Sequence, residues 1–400
     1  MNEPDKNRRS VIWIGMVSFF NDLSSEVVSK VLPIYLVTVF NTSAMGLGLI
    51  EGISEALSVI TKLFSGIYSD KIQKRKPLVF LGYAMSIVGR SFIVLSTSAF
   101  GIGVIRVFDR LGKGIRGAPR DALIVDLSTK ENLGENFGIN RALDSLGSVI
   151  GLGTLALILP LLNENDEVVL TQVLLIAAAA GILALIVLAL FVHEPKVHKA
   201  IESRKFTFNF KKLHPKLKHY LFIAFIFALA NSSDSFLILR AKKMGFSLRE
   251  IFMIMTAFNV VTVYSSYKIS KISDKLGRKY VMIFGWLTYA VSYFFIGLPG
   301  LTNHAFVGLV CLYGLFYGFT ESVEKALVAD YVNKDNKGES YGWLSVVNAL
   351  GIVPANIIFA SIFDSYGVQW AFWASATFAL LGVILLIFFK ERTSGEINVA

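Results

Sequence analysis

Apolar stretches long enough to cross a bilayer alternate with short polar connections along almost the whole of this 400-residue chain. The pattern predicts twelve helical spans, at 11–38, 45–69, 78–97, 100–127, 139–162, 168–192, 219–240, 247–271, 280–298, 304–328, 341–363 and 370–389. Val173 to Val192 and Trp370 to Phe389 carry no charge at all. Each run is about 20 residues, the length needed to cross a hydrocarbon core of about 30 Å. No soluble core needs so many runs of this length.

The polar positions then show that the chain is duplicated. Ala122-Leu123-Ile124-Val125-Asp126, followed by Lys130, Asn132, Gly134, Glu135 and Gly138, returns 204 positions later. The copy reads Ala326-Leu327-Val328-Ala329-Asp330, followed by Lys334, Asn336, Gly338, Glu339 and Gly342. The same offset carries Asp70-Lys71 onto Asp274-Lys275 and Lys74-Arg75 onto Arg278-Lys279. Internal repeats of membrane helices are the build of secondary transporters. The expected fold is an all-α membrane protein with two six-helix halves, residues 1–192 and 219–400, joined by a basic linker at 193–218.

Composition changes little in this picture but charge placement orients it. The chain is 54% hydrophobic and 17% charged, with mean hydropathy +0.59. Its formal charge of +10 would suit a nucleic-acid binder, yet the cations sit in short loops between spans, which is the positive-inside pattern. The linker and the loops at 71–76 and 271–279 are basic, so both termini are expected in the cytoplasm. Arg240, Lys242, Lys243 and Arg249 dissent, since they follow span 7 on the outer side. A basic start (Lys6, Arg8, Arg9) leads directly into span 1 with no cleavable signal. Cys311 is the one cysteine and can form no internal disulfide.

Candidate chemistry concentrates in span 4. Arg106, Asp109, Arg110, Lys113, Arg116, Arg120 and Asp121 fall within an arc of roughly 140° on a helix of 100° per residue. At about 2.5–3.5 kcal/mol per mid-membrane charge, such a face cannot meet lipid. It must line a wet cavity or meet acids. Asp22, Glu26 and Lys30 share a face of span 1, and Glu51, Glu55 and Lys62 a face of span 2. Arg90 on span 3 and Arg141 with Asp144 on span 5 complete the first-half set. The second half offers only Asn231, Ser233, Asp234, Asn259, Glu321, Glu324 and Lys325. This asymmetry predicts that the first half carries ion coupling and the second shapes the substrate face. Gly147 and Gly151 on span 5 permit close helix packing.

Gly66-x-x-x-Asp70-Lys71-x-Gln73-Lys74-Arg75 resembles the loop signature of the major facilitator superfamily, and Ser270-x-x-x-Asp274-Lys275-x-Gly277-Arg278-Lys279 resembles it again. The superfamily is built from nested membrane repeats, and the resemblance implies that fold here. The resemblance implies a gating role for Gly66, Asp70, Lys71, Lys74, Arg75, Asp126, Asp274, Lys275, Gly277, Arg278, Lys279 and Asp330. In it, Lys74 and Arg75 would pair with Asp126, and Arg278 with Asp330. Ser24-Ser25-Glu26, Glu51, Glu55 and the run Asp109 to Asp121 are similar to a bacterial subgroup of that superfamily, most of whose members have no assigned substrate. The drug-antiporter branch has Gly-Pro on span 5 where this chain has Gly151-Leu152.

The expected function is secondary transport of a small solute across the bacterial inner membrane by alternating access. Protons are the expected coupling ion, with Asp22 and Glu26 foremost, and the chain is expected to act as a monomer among lipids. The cations of span 4 point to an anionic substrate, an organic acid or a siderophore-like chelate, moved by symport, with Arg110 in direct contact. Efflux antiport of a drug or metabolite is the alternative, and a receptor or sensor on a transporter fold is the alternative of another class. Catalysis is not expected: the chain lacks a nucleotide loop, a Cys/His metal spacing and a Gly-x-Ser-x-Gly elbow. No nucleic acid, metal or cofactor is expected.

Overall fold

A computed structural model describes residues 3–72, 74–129, 132–159, 166–194, 210–329 and 337–389. The described residues are almost entirely helical. In the first half, α1 is Glu3–Phe40, α2 Ala44–Ile72, α3 Lys76–Phe92, α4 Ala99–Asp126, α5 Leu133–Ile158 and α6 Asp166–Phe191. In the second, α7 is Pro215–Ala228, α8 Ser235–Lys243, α9 Leu248–Leu276, α10 Arg278–Ile296, α11 Asn303–Ala329, α12 Lys337–Ser365 and α13 Val368–Phe388.

Ten of these helices are long and apolar enough to cross a membrane. Two of the twelve expected spans fall short, for different reasons. Span 4 forms one continuous helix, α4, but carries too many charges. Span 7 is not continuous. The expected helix at 219–240 ends at Ala228 and restarts at Ser235. Between them Asn231-Ser232-Ser233-Asp234 is a run of turn-forming residues whose side chains compete for backbone hydrogen bonds. Arg240, Lys242 and Lys243 occupy the last turn of α8, where cations complement the helix dipole. That placement accounts for three of the four cations that dissented from the loop pattern, while Arg249 lies in the first turn of α9. Ser247 and Glu250 then open α9 with a reciprocal cap: Glu250 accepts the Ser247 N–H at 2.8 Å and Ser247 Oγ accepts the Glu250 N–H at 3.3 Å.

The chain divides into two compact units, 1–205 with 237–256, and 206–236 with 257–400. The segment 237–256 groups with the first unit. In that first unit α4 packs on α2 and α3, while α1 packs on α5 and α6. In the second, α10 packs on α11 and α13, and α12 on α7 and α13.

Burial in the first unit departs from that of a soluble bundle, since charged side chains are buried beside an apolar core that includes Val11, Ile87 and Leu123. Arg90 and Arg106 are each 2% exposed, whereas Phe100 on α4 is 82% exposed. The apolar outer surface has lipid as its solvent, and the charges face neighbouring helices. Small residues make that inward approach possible. A Cβ on Gly82 would meet the Gly112 carbonyl at 2.6 Å, and one on Gly112 would meet the Gly82 carbonyl at 2.5 Å. Gly147 and Gly151 on α5 likewise lie against the backbone of Phe19 and Leu23 on α1, as their spacing implied. Gly112→Val is therefore expected to destabilise the protein by about 1–3 kcal/mol through overpacking. Thermal unfolding in detergent checks this, with Phe100→Ala, at a side chain 82% exposed, as the control that leaves the midpoint nearly unchanged.

Candidate functional site

The polar face of α4 meets acids and hydroxyls from α1, α2 and α3. Arg90 Nε of α3 donates to Asp109 Oδ1 at 3.1 Å, and its Nη1 reaches Asn21 Oδ1 at 3.2 Å and Ser24 Oγ at 3.1 Å. Arg106 holds the other oxygen of Asp109 at 3.3 Å, Glu51 at 3.2 Å and Ser29 Oγ at 3.3 Å. Arg110 pairs with Glu55 at 3.2 Å and lies 3.9 Å from Glu51. Lys113 is half exposed and stands 4.0 Å from Glu55. These contacts form one continuous chain of alternating charge: Arg90, Asp109, Arg106, Glu51, Arg110, Glu55, Lys113.

Arg116 is held differently. Its Nη1 donates to Ser86 Oγ at 2.7 Å, and its guanidinium lies 4.5 Å from the centre of the Tyr83 ring. Ser86 in turn donates to the Asp109 carbonyl at 2.9 Å. Toward the end of α4, Arg120 pairs with Asp121 at 3.3 Å and with Asp144 of α5 at 3.7 Å. Asp22 accepts from Asn21 Nδ2 at 2.9 Å and from Ser25 Oγ at 3.5 Å, and its carboxyl neighbours those of Asp144 and Glu26. Glu26 is one turn along the same helix and half-buried. The sequence placed Glu26 on the same face as Asp22, and the folded chain brings Asp144 of α5 beside it as a second acid.

The loop after α2 gathers around a single residue. Arg75 Nη1 meets Asp70 at 2.8 Å and Ser69 Oγ at 2.6 Å, and its Nε meets Asp126 at 3.2 Å. Glu194, just past α6, accepts the backbone N–H groups of Arg75 and Lys76 at the start of α3. Lys71 and Lys74 are exposed. Of the two cations assigned to Asp126 by resemblance, Arg75 alone makes the contact among the described ion pairs. Gly66 lies beside Ala118, whose Cβ would be 3.1 Å from an added Cβ.

The second copy repeats these roles with its register moved by one. Lys76 Nζ caps the end of α6 through the carbonyls of Ala189 and Val192, and Lys279 Nζ caps the end of α13 through those of Ile387 and Phe389. Arg278 donates to the Ala326 carbonyl. Structurally, then, Arg75 and Lys76 correspond to Arg278 and Lys279, not Lys74 and Arg75. Gly277 takes φ of +88° immediately before α10, a backbone that favours glycine. Asp330 lies outside the described residues, as do the side chains of Asp274 and Lys275 on α9.

In the second unit the break between α7 and α8 is tied down by its neighbours. Tyr289 of α10 donates to the Ala230 carbonyl at 2.6 Å, and Asn356 of α12 accepts the Ser233 N–H at 3.0 Å. Asn231 lies in the break, half-buried. Asp234 ends it, accepting from Tyr313 Oη at 2.9 Å and Tyr317 Oη at 3.1 Å. Glu321 follows Tyr317 by one turn on α11. The tyrosines escaped notice in the sequence because they read as apolar filler. Their signal was two pairs at i, i+4, Tyr289 with Tyr293 and Tyr313 with Tyr317, which place each pair on one helix face.

A duplicated helical bundle that hides an ion-pair lattice within one half and a carboxylate among tyrosines in the other defines a membrane transport protein. The family model described as the Major Facilitator Superfamily matches residues 14–266 and 220–399. An uncharacterised MFS-type transporter of Methanocaldococcus jannaschii is 33% identical over 97% of this chain and 96% of its own length. The quinolone resistance protein NorA of Staphylococcus aureus is 23% identical, with 96% of each chain covered. Among solved structures, a nucleoside transporter NupG variant superimposes with a TM-score of 0.80 at 12% identity, covering 96% of this chain and all of the other. The chain belongs to the major facilitator superfamily and is a multi-pass membrane transporter.

Proposed function

We propose that this protein is a proton-coupled secondary transporter of the cytoplasmic membrane, with the proton carried in its first half. The observation that supports this reading is the Asp22–Asp144 carboxyl pair beside the α4 lattice. Two neighbouring carboxyls can share a proton, and ionising both places like charges near one another. A step that loads or releases that proton changes the balance of the adjoining Arg120 and Arg116 contacts. The Arg75 hub is the latch of the cytoplasmic loop, and both termini lie on that side.

Export by proton antiport is the form of this reading that the geometry supports best. Arg106 and Arg110, the cations expected to hold an anion, are each engaged by Glu51, and Asp109 or Glu55 completes the shell. NorA, a relative along almost the whole chain, is named for resistance to quinolones. Symport of an anion is the second reading. It is favoured by Lys113, half exposed, and by Arg116, whose described contacts are a hydroxyl and a ring.

Proteoliposomes containing pyranine, challenged with a panel of organic cations, organic anions and ferric chelates, separate the two. Protons leaving against entry of solute indicate antiport, and protons entering with it indicate symport. Asp22→Asn with Asp144→Asn is expected to abolish proton movement while sparing counterflow of the same solute. Undiminished gradient-driven transport in that double variant removes the coupling role.

A further inference from the structure

We propose that Glu324 is a second proton-binding site, held in the second half by Tyr220 and Asn348. The inference goes beyond the reading above, which places one proton in the first half, and rests on it only for the proton's being coupled to transport. The first observation is what the duplication did to one position. The 204-residue offset carries Arg120 onto Glu324, Asp121 onto Lys325 and Asp144 onto Asn348. The helix pairs correspond as well, since α5 packs on α1 and α12 on α7. Gly147 and Gly151 of α5 lie against Phe19 and Leu23, and Gly351 of α12 lies against Ala228. In the first half this position holds an ion pair, Arg120 with Asp144 at 3.7 Å. In the second the acid has changed helix and its cation is gone.

The second observation is what holds the Glu324 carboxyl. Tyr220 Oη of α7 donates to its Oε1 at 3.1 Å, and the Asn348 amide of α12 neighbours it. Both partners are neutral, and Tyr220 is fully buried. Among the described residues Glu324 forms no ion pair. A carboxylate inside a membrane bundle needs a cation or loses its charge to a proton. Neutral partners of this kind serve both forms. Tyr220 donates to the carboxylate. Its oxygen accepts from the acid, and its own hydrogen then turns to Met282 Sδ, 3.6 Å away. Neither state strands a buried donor.

The third observation concerns the charged and titratable groups around it. Lys325, next on α11, is exposed. Arg278 of α10 donates to the Ala326 carbonyl, and Tyr341 of α12 to the Lys325 carbonyl. His219, beside Tyr220 on α7, packs its ring on Phe389, and Lys268 of α9 is exposed beside Tyr264. Glu321, one turn back on α11, is an acid and offers no compensation. Glu324 itself is part-exposed, two residues before the carbonyl that Arg278 of the loop signature holds, so a proton has a route to it.

Infrared difference spectroscopy of the full chain in detergent, titrated with acid and base without solute or gradient, tests the site. The C=O stretch of a protonated carboxyl lies apart from the bands of carboxylates, so each titrating acid is read directly. The parent is expected to gain such a band on acidification, and Glu324→Gln to lose one component of it. Tyr220→Phe should shift the frequency of that component, because the carboxyl loses a hydrogen bond. A Glu324→Gln titration identical to the parent's overturns the proposal. Where that variant fails to fold, an unmoved band in Tyr220→Phe overturns it instead. Asp22→Asn with Asp144→Asn should keep the Glu324 component while losing its own. If that double variant titrates as the parent does, the first-half proton is rejected and Glu324 is left standing. Loss of a component in the double variant with none in Glu324→Gln does the reverse.

Discussion

Arg106→Met is expected to destabilise the protein by about 3–5 kcal/mol, the scale for removing one partner of a buried ion pair. Arg106 is 2% exposed and separates Glu51 from Asp109, so its loss leaves two carboxylates in a low-dielectric space. Arg90 still compensates Asp109 and Arg110 still neighbours Glu51, but no single cation bridges both. Thermal unfolding in detergent should show a large fall in the midpoint, with part of it recovered by adding Glu51→Gln. Lys113→Met provides the contrast. Its ammonium is half exposed and 4.0 Å from its acid, so the loss should stay within about 1 kcal/mol. Equal midpoints for Arg106→Met and Lys113→Met would mean that the lattice is not cohesive.

Arg75→Ala should have the largest effect on the conformational equilibrium. One guanidinium joins Asp70 and Ser69 of α2 to Asp126 at the end of α4. Removing it unfastens the two helices at the loop, with an expected shift of about 1–3 kcal/mol toward the unlatched state. The readout is maleimide labelling of a cysteine introduced at Leu127, in a background where Cys311 is alanine. Leu127 is 4% exposed in the latched arrangement, so labelling should accelerate about tenfold or more in Arg75→Ala. Lys74→Ala should label as the parent does. Identical rates in both variants would reduce the loop to a topology determinant.

Much of the architecture was legible because lipid imposes a simple rule on composition. Apolar length located eleven of the twelve spans as continuous helices, with ends that moved by a few residues; α1 begins at Glu3 rather than 11. Span 7 was misread because summed hydropathy across 219–240 outweighed four consecutive turn-formers. The charged face of α4 was legible from periodicity alone. Its partners were legible as a set, Glu51, Glu55 and Arg90, but not as pairs, because pairing depends on how far each helix slides along the next. The same limit hid Asp144 as the neighbour of Asp22 and Glu194 as the cap of α3, whose partners are 122 and 119 positions away. The loop signature aligned Lys74 with Arg278 by offset, while the folded loop sets Arg75 in that role. Three residues separate α2 from α3 and Gly277 alone separates α9 from α10, a difference that a constant offset hides and that is decisive for a side chain.

The direction of the α4 contacts bears on how the protein is made. Ser29, Glu51, Glu55 and Arg90, which receive Arg106, Asp109, Arg110 and Lys113, all precede α4 in the chain. A ribosome working from the N-terminus therefore completes α1, α2 and α3 before α4 emerges. An isolated helix with that many charges has no favourable route into hydrocarbon. With its counter-charges already waiting, α4 enters a prepared polar seam instead of lipid. Its membrane insertion is thus expected to depend on the three helices synthesised before it, with Arg120 alone waiting for Asp144 of α5 among these described pairs.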